Sequence, residues 1–379
     1  MTEFAPPVVA TYGSTDPAAP LVVLLHGRGS NEQEILSLAP QLPTGPAYAA
    51  VRAPIAEGGG YAWFANRGIG RPVAESLRET MDWFRRWLDE VAGPDRPVAV
   101  IGFSGGAAFA GGLVLDDPAR YVAAGILFGT LPFDAGVPVT PARLAGVPTI
   151  VVQGEQDTVI PRELLDRTWG YINGPSGAPA WAQREPGGHA ITSAVVAELA
   201  GWLGMRLSFF AEHGRGSAIS PPWVGLDELP ERRGPFPATS TNTPQEQLTD
   251  QAPPELQERL FERLAKLPGV GTRDSAISVP GARAFVIRKP GGPEEAFLVP
   301  QVGEFAHLHP PYDGSLHLAL PPALAADALA KGWSVAHPLA GLRVTPGMVM
   351  VFGPRDEDEV EVVAAIVATS HAWANGDVG

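Results

Sequence analysis

The sequence predicts an α/β protein: a mostly parallel, doubly wound sheet, followed by a second, smaller α+β domain. Three observations lead there. The 379 residues exceed the roughly 100–200 typical of one domain. Through residue 207, short apolar runs without polar alternation exchange with amphipathic helical stretches, the pattern of a parallel sheet covered on both faces. From Ser208 to Pro253 the texture turns Pro-rich and weakly periodic, and a different rhythm of strands and helices follows. The expected organisation is residues 1–207 as one domain, 208–253 as a wrapping connector and 254–379 as the small α+β domain.

Val8–Tyr12 is expected as an edge strand. Leu21–Leu25, Pro97–Ile101, Ala123–Phe128 and Thr149–Gln153 are expected as buried strands, because they are short and apolar throughout. Val73–Val91 reads as a helix with Leu77, Met81, Phe84 and Leu88 on one stripe. A short strand at Trp181–Arg184 and a helix near Ile191–Leu207 close the unit. In the second half, helices are expected at Pro254–Leu267, at Pro322–Lys331 and from Asp356, where Asp356 and Glu359 have capping-box spacing. Strands are expected at Ser275–Val279, Arg283–Arg288, Ala296–Val299, Ser315–Leu320 and Met348–Phe352.

Composition removes several functions. Apolar residues make up 45% and charged residues 18%, the balance of a folded chain. Lys+Arg 27 against Asp+Glu 41 gives a net charge of −14, which offers no broad footprint for nucleic acid or an anionic membrane. Cysteine is absent, so disulfides, thiolate metal sites and Cys nucleophiles are excluded. The first twenty residues show no signal-peptide pattern, and no apolar run is long enough for a membrane span. A cytoplasmic protein is the expectation, with a homo-oligomer left open.

Gly102-Phe103-Ser104-Gly105-Gly106 is a G-x-S-x-G placed between an apolar strand and a helical run. A serine there occupies a sharp strand-to-helix turn, and the glycines let the two backbones approach. A serine nucleophile needs an acid and a histidine later in the chain. Asp157, in the loop after Thr149–Gln153, is the preferred acid, with Glu155 and Asp116 as alternatives. His189, in Pro186-Gly187-Gly188-His189, is the base. An oxyanion hole is expected from the N–H of Gly105 and a second N–H in Leu25–Ser30, preferably that of Arg28. His26 reads as structural. The aromatic, Gly-rich stretch Glu57–Pro72 is the expected pocket wall, with Tyr61, Trp63 and Phe64 as substrate contacts.

The segments at residues 22–34, 61–64, 101–110, 151–161 and 186–191 together resemble the phospholipase/carboxylesterase group of α/β-hydrolases, which includes the acyl-protein thioesterases. The likeness runs from residue 1 to about 207 and keeps the motif order. It implies an α/β-hydrolase fold with Ser104, Asp157 and His189 as catalytic triad and Arg28 and Gly105 at the oxyanion hole. It further implies a small-molecule ester or thioester substrate, cleaved through an acyl-enzyme without a cofactor. Gly105 departs from the pattern, since many members carry Gln after the nucleophile.

In the second half, Glu304, His307, His309, Asp313 and His317 form the densest titratable cluster. On a strand His307 and His309 share a face, and His317 faces them from a neighbouring strand. These three histidines, with Glu304 as fourth ligand, are weak candidates for Zn²⁺ or Fe²⁺; the spacing matches neither a cupin nor a zinc finger closely. Histidines bonding a turn and adjacent strands are the preferred reading. Residues 303–321, 331–339 and 350–363 resemble a small bacterial domain called luciferase-like, from about 230 to 376. A binding or regulatory role, or a metal-dependent activity, in this half is the alternative to ester hydrolysis.

Overall fold

The computed structural model describes residues 4–213, 223–240, 243–341 and 344–377. They fall into two compact units. One comprises the chain to Ile172 with Ala180–Glu212, the other Asn173–Pro179 with the chain from His213 onward.

The first unit is a seven-stranded sheet. Its strands are β1 (Val9–Gly13), β2 (Leu21–Leu25), β3 (Ala47–Val51), β8 (Val98–Phe103), β9 (Ala123–Leu127), β10 (Thr149–Gly154) and β11 (Ala180–Glu185). Two short hairpins, β4 (Ile55–Glu57) with β5 (Gly60–Ala62) and β6 (Asn66–Gly68) with β7 (Arg71–Pro72), lie between β3 and β8 in sequence. The sheet order is β1-β3-β2-β8-β9-β10-β11. Only the β1–β3 pair is antiparallel. The helices are α1 (Glu32–Leu36), α2 (Ala74–Val91), α3 (Gly105–Asp116), α4 (Arg162–Ile172) and α5 (Ser193–His213).

β2, β9 and β10 are buried at every residue, as strands covered on both faces must be. α2 buries Leu77, Met81, Phe84 and Leu88, each worth about 1.5–3 kcal/mol of apolar burial. α3 is buried almost all round: Phe109 stacks on Trp63 with centroids 4.4 Å apart and meets Phe84 edge-on at 5.6 Å. The expected strands and helices of this unit are present. Not foreseen are helices α1 and α4, the hairpin strands β4 to β7, and the sheet strand β3, whose Ala-Tyr-Ala-Ala-Val carries little β-branched character.

The topology positions the site. From β2 the chain steps to β3 on one side, then returns to β8 on the other, so the loops after β2 and β8 leave the same carboxyl edge side by side. In an open α/β sheet that reversal of strand order opens the crevice for a ligand.

The second unit has a six-stranded antiparallel sheet, order β12 (Val270–Asp274), β13 (Arg283–Ile287), β14 (Glu304–Leu308), β15 (Leu316–Ala319), β17 (Met348–Val351), β16 (Ser334–Ala336). Its helices are α6 (Pro254–Leu264), α7 (Pro322–Ala330) and α8 (Glu357–Asn375). Phe285, Phe305, Leu318, Val363 and Val367 are in its core, together with Trp223 and Leu229 from the Pro-rich stretch. Part of that stretch, residues 214–222 and 241–242, lies outside the described residues.

Three local expectations are corrected here. Ser275–Val279 is not a strand: Ser275 Oγ accepts the N–H groups of Ile277 (3.3 Å) and Ser278 (3.1 Å) and closes a turn, so β12 ends before it. Ala296–Val299 is not a strand either, because 3₁₀ turns at Glu294–Ala296 and Pro300–Val302 bracket it. At α8, Asp356 Oδ1 accepts the Glu359 N–H at 2.9 Å, but the Glu359 carboxylate returns to the N–H of Arg355 rather than of Asp356. The cap holds; the box closes one residue early.

Candidate active site

Ser104 sits between β8 and α3 with φ 54° and ψ −116°, a backbone conformation costly for a residue with a Cβ. Its neighbours are glycine for a steric reason. A Cβ on Gly102 would lie 2.1 Å from the Gly106 carbonyl oxygen, and one on Gly106 would lie 2.2 Å from that of Leu25. The tight turn lifts the serine side chain clear of the sheet edge.

The loops after β10 and β11 are laced together. The Glu155 N–H donates to the Glu185 carbonyl (2.7 Å) and the Gln156 N–H to that of Gly187 (3.0 Å). This brings Asp157 beside His189. Asp157 Oδ1 accepts the Val159 and Ile160 N–H groups at 2.9 and 3.1 Å, which fixes the carboxylate; its Oδ2 is 2.8 Å from His189 Nδ1. The other ring nitrogen, Nε2, is 2.8 Å from Ser104 Oγ. The Asp157 side chain is fully buried and that of His189 is 14% exposed. Phe103 packs against the imidazole at 5.2 Å between centroids. Of the two alternative acids, Glu155 is exposed, and Asp116 pairs with Arg85 at the far end of α3.

Arg28 N lies 3.3 Å from where a Cβ on Gly105 would stand, so the two backbone N–H groups are neighbours. Gly105 opens α3, and a first-turn N–H has no partner within its own helix. The Arg28 guanidinium turns away to pair with Glu57. His26 donates Nδ1–H to the Gly27 carbonyl (2.7 Å) and accepts the Ala53 N–H on Nε2 (3.1 Å). Burial holds its pKa below the ordinary imidazole value. It is a backbone fastener. A cavity of about 520 Å³ opens over Ser104, Gly105 and His189, walled by Ile35, Leu38, Phe64, Ile69 and Ile160.

In the second unit, His307 and His317 pair across β14 and β15. His307 and His309 stack at 5.4 Å, as period two on a strand dictates. The nitrogens that His307, His309 and His317 can offer a metal lie within 4.8 Å of one another, and all three side chains are buried. Burial and the neighbouring rings push His317 well below the ordinary imidazole range. Burial also lowers His307, against the pull of Glu304, and takes His337 down to about 4. Glu304 is expected above as a fourth ligand, but it bonds His307 Nδ1 at 2.8 Å and therefore stands behind the ring. It also accepts from Ser275 Oγ (2.7 Å) and the Ala276 N–H (2.9 Å). Burial alone would raise the Glu304 pKa; these hydrogen bonds outweigh it and lower it.

Residues 7–199 match the family model described as Phospholipase/Carboxylesterase. The chain belongs to the phospholipase/carboxylesterase family. It is an ester hydrolase with an α/β-hydrolase unit, joined to a Luciferase domain matched at residues 302–370. The chain is 28% identical over 230 residues to the luciferase of Armillaria ostoyae, covering 53% of this chain and 79% of that protein. With the luciferase of Neonothopanus nambi it shares 29% over 200 residues, 45% of this chain and 72% of the other. Among solved structures, the Bacillus cereus carboxylesterase aligns with a TM-score of 0.48 at 22% identity, covering 53% of this chain and 94% of that one.

Within this phospholipase/carboxylesterase unit the aromatic stretch divides. Phe64 lines the cavity. Trp63 does not: its ring is in the core against Phe109, and its Nε1–H donates to the His26 carbonyl at 2.8 Å, holding the loop after β2. Tyr61 does not either, since its backbone bridges Ser30 and its ring lies under the Arg52 guanidinium at 4.8 Å. Ile35 and Leu38 were missed as wall residues. Their signal was Asn31, which caps α1 by accepting the N–H groups of Gln33 (2.9 Å) and Glu34 (3.1 Å) and so turns Ile35 toward the cavity. No helix among the described residues is long and apolar enough to cross a membrane.

Proposed function

We propose that the chain hydrolyses small, neutral carboxylic esters, with thioesters as a related class, through an acyl-enzyme on Ser104. The observation that carries this reading is His189, placed 2.8 Å from both Ser104 Oγ and Asp157 Oδ2 at the floor of the cavity. An ionised Asp157 has only acceptors, so Nδ1 carries the imidazole proton and Nε2 presents a lone pair to the serine hydroxyl. His189 takes the Oγ proton as Oγ bonds to the substrate carbonyl carbon. The carbonyl oxygen gains the charge and is met by the Arg28 and Gly105 N–H groups, beside the positive end of α3. His189 then protonates the departing alcohol or thiol; water, deprotonated by the same ring, frees the acid.

The wall favours an uncharged, apolar acyl or alcohol group. Aliphatic and aromatic residues, Ile35, Leu38, Phe64, Ile69 and Ile160 among them, supply contact area; of the charged residues on the wall, Arg28 is paired with Glu57 and Glu34 accepts the Ser30 hydroxyl. The test is labelling of the full chain with a fluorophosphonate, read as a mass shift on the peptide containing Ser104, followed by a chain-length panel of p-nitrophenyl esters. Labelling on Ser104 that an ester substrate competes away is expected. Labelling elsewhere, or ester turnover in the unlabelled Ser104→Ala variant equal to wild type, overturns the assignment.

A further inference from the structure

Among the described residues, the second unit contains a set of buried imidazoles that ester hydrolysis does not use. Each ring has one nitrogen fastened from behind. Glu304 Oε1 takes the Nδ1–H of His307 at 2.8 Å. Asp313 Oδ2 takes that of His309 at 2.6 Å, and Asp313 Oδ1 is itself fixed by the Ser315 N–H at 2.9 Å. Gln245 Oε1 is 3.1 Å from His317 Nε2. Its amide orientation is set independently, because Gln245 Nε2 donates to the Ala336 carbonyl at 3.0 Å. Three acceptors therefore hold three outward N–H groups.

The consequence is electrostatic. A neutral imidazole has one N–H and one lone pair, so the inward nitrogens, His307 Nε2, His309 Nε2 and His317 Nδ1, all present lone pairs. His307 Nε2 and His317 Nδ1 stand 3.3 Å apart, a hydrogen-bond distance with no proton left to share between neutral rings. Buried lone pairs aimed at one another are unfavourable unless a cation lies among them. The spacing suits one: tetrahedral bonds of about 2.0–2.1 Å put ligand nitrogens roughly 3.3 Å apart.

We propose that His307, His309 and His317 bind one divalent transition-metal ion of the zinc class, with Glu304, Asp313 and Gln245 as the acceptors that orient the ligands. The outer acceptors are the arrangement by which metal-binding imidazoles are kept in the right tautomer and made more basic. An all-imidazole donor set selects zinc, iron, nickel or copper over magnesium or calcium. Three protein ligands leave a coordination position for water or for an oxygen of a small molecule, the feature that separates reactive from purely structural zinc sites. The three ligands lie in the second unit and Ser104 in the first, so metal binding is measured directly rather than through ester turnover.

The experiment uses the full chain prepared without a histidine tag. Metal content is measured as purified; the protein is then stripped with a chelator and titrated with Zn²⁺ by calorimetry, with Mg²⁺ as comparison. One zinc per chain, no Mg²⁺ binding and a zinc-dependent rise in Tm are expected. His309→Asn should abolish the tight site. Gln245→Leu, which leaves every ligand in place, should weaken zinc by about ten- to a hundredfold. It also keeps the test meaningful if His309→Asn does not fold. No zinc binding by stripped wild type, or an affinity that folded Gln245→Leu leaves unchanged, overturns the proposal.

Discussion

His189 and the histidines of the second unit place imidazoles in opposite situations. His189 lies between a carboxylate, which only accepts, and a hydroxyl, which can donate, so its hydrogen bonds run in one direction from Ser104 to Asp157. That polarity lets a proton move. His307, His309 and His317 each back onto an acceptor, and their remaining nitrogens face one another. That polarity collects lone pairs and calls for a cation. One imidazole at Ser104 and three in the second unit thus differ by the direction of each hydrogen bond rather than only by the number of histidines, and the two proposals rest on that difference.

The largest test of this contrast is Ser104→Ala, for which ester turnover should fall roughly 10⁴-fold or more while zinc affinity of the second unit stays as in wild type. Initial rates on a short soluble ester, read beside the calorimetric titration, check both halves. Turnover above a tenth of wild type would break the first half of the comparison.

Asp157→Asn comes next. The amide reverses the polarity, offering a donor to Nδ1 and favouring the tautomer that cannot accept the serine proton, so kcat should fall by about 10³ to 10⁴. Glu155→Gln, two residues away and exposed, should change little. If the two variants exchange effects in steady-state kinetics, the acid has been misassigned.

A smaller effect is expected at Gly105. Its added Cβ would sit 3.3 Å from Arg28 N, forcing the two proposed oxyanion donors apart by tenths of an ångström. Loss of a whole donor costs about 10² to 10³; a displaced donor in Gly105→Ala should cost about tenfold in kcat with KM little changed. A variant as fast as wild type would mean that the Arg28 N–H is not part of the hole. The same contact bears on why a bulkier residue is absent at this position: this loop has been built tight against a glycine.

What could be read from the sequence follows from where sterics leave a mark. The strand-to-helix turn at Ser104 was legible because Gly102 and Gly106 are compulsory there: each added Cβ would fall near 2 Å from a carbonyl oxygen. The buried strands were legible because a parallel sheet covered on both faces shows no polar alternation. The cavity wall was not. Trp63 and Phe64 are adjacent aromatics, and only a stacking partner far along the chain, Phe109, decides that one is core and the other wall. Nor was the role of Glu304, since a carboxylate three residues from a histidine reads equally as ligand or as the acceptor behind one. Ser275–Val279 looked like a strand because side-chain capture of backbone N–H groups has no apolar signature.

The smallest predicted effect concerns His26, an imidazole of a third kind, with both nitrogens bonded to backbone. Burial lowers its pKa in the folded chain, whereas in the unfolded chain it titrates near the ordinary value of about 6.5. Below that value the unfolded state binds a proton that the folded state resists. Stability is therefore undiminished above about pH 6.5 and declines as pH falls through the ordinary imidazole range toward the depressed folded pKa. Protonating Nε2 also removes the acceptor for the Ala53 N–H. The checking measurement is Tm against pH for wild type and His26→Asn, an amide that keeps one donor and one acceptor but does not titrate. The variant should start lower. Its Tm should then fall less steeply between pH 7 and 5, by an amount on the order of a few degrees. Parallel curves would show that the fold does not feel the charge on His26 and would remove the distinction between an imidazole that fastens backbone and one that moves a proton.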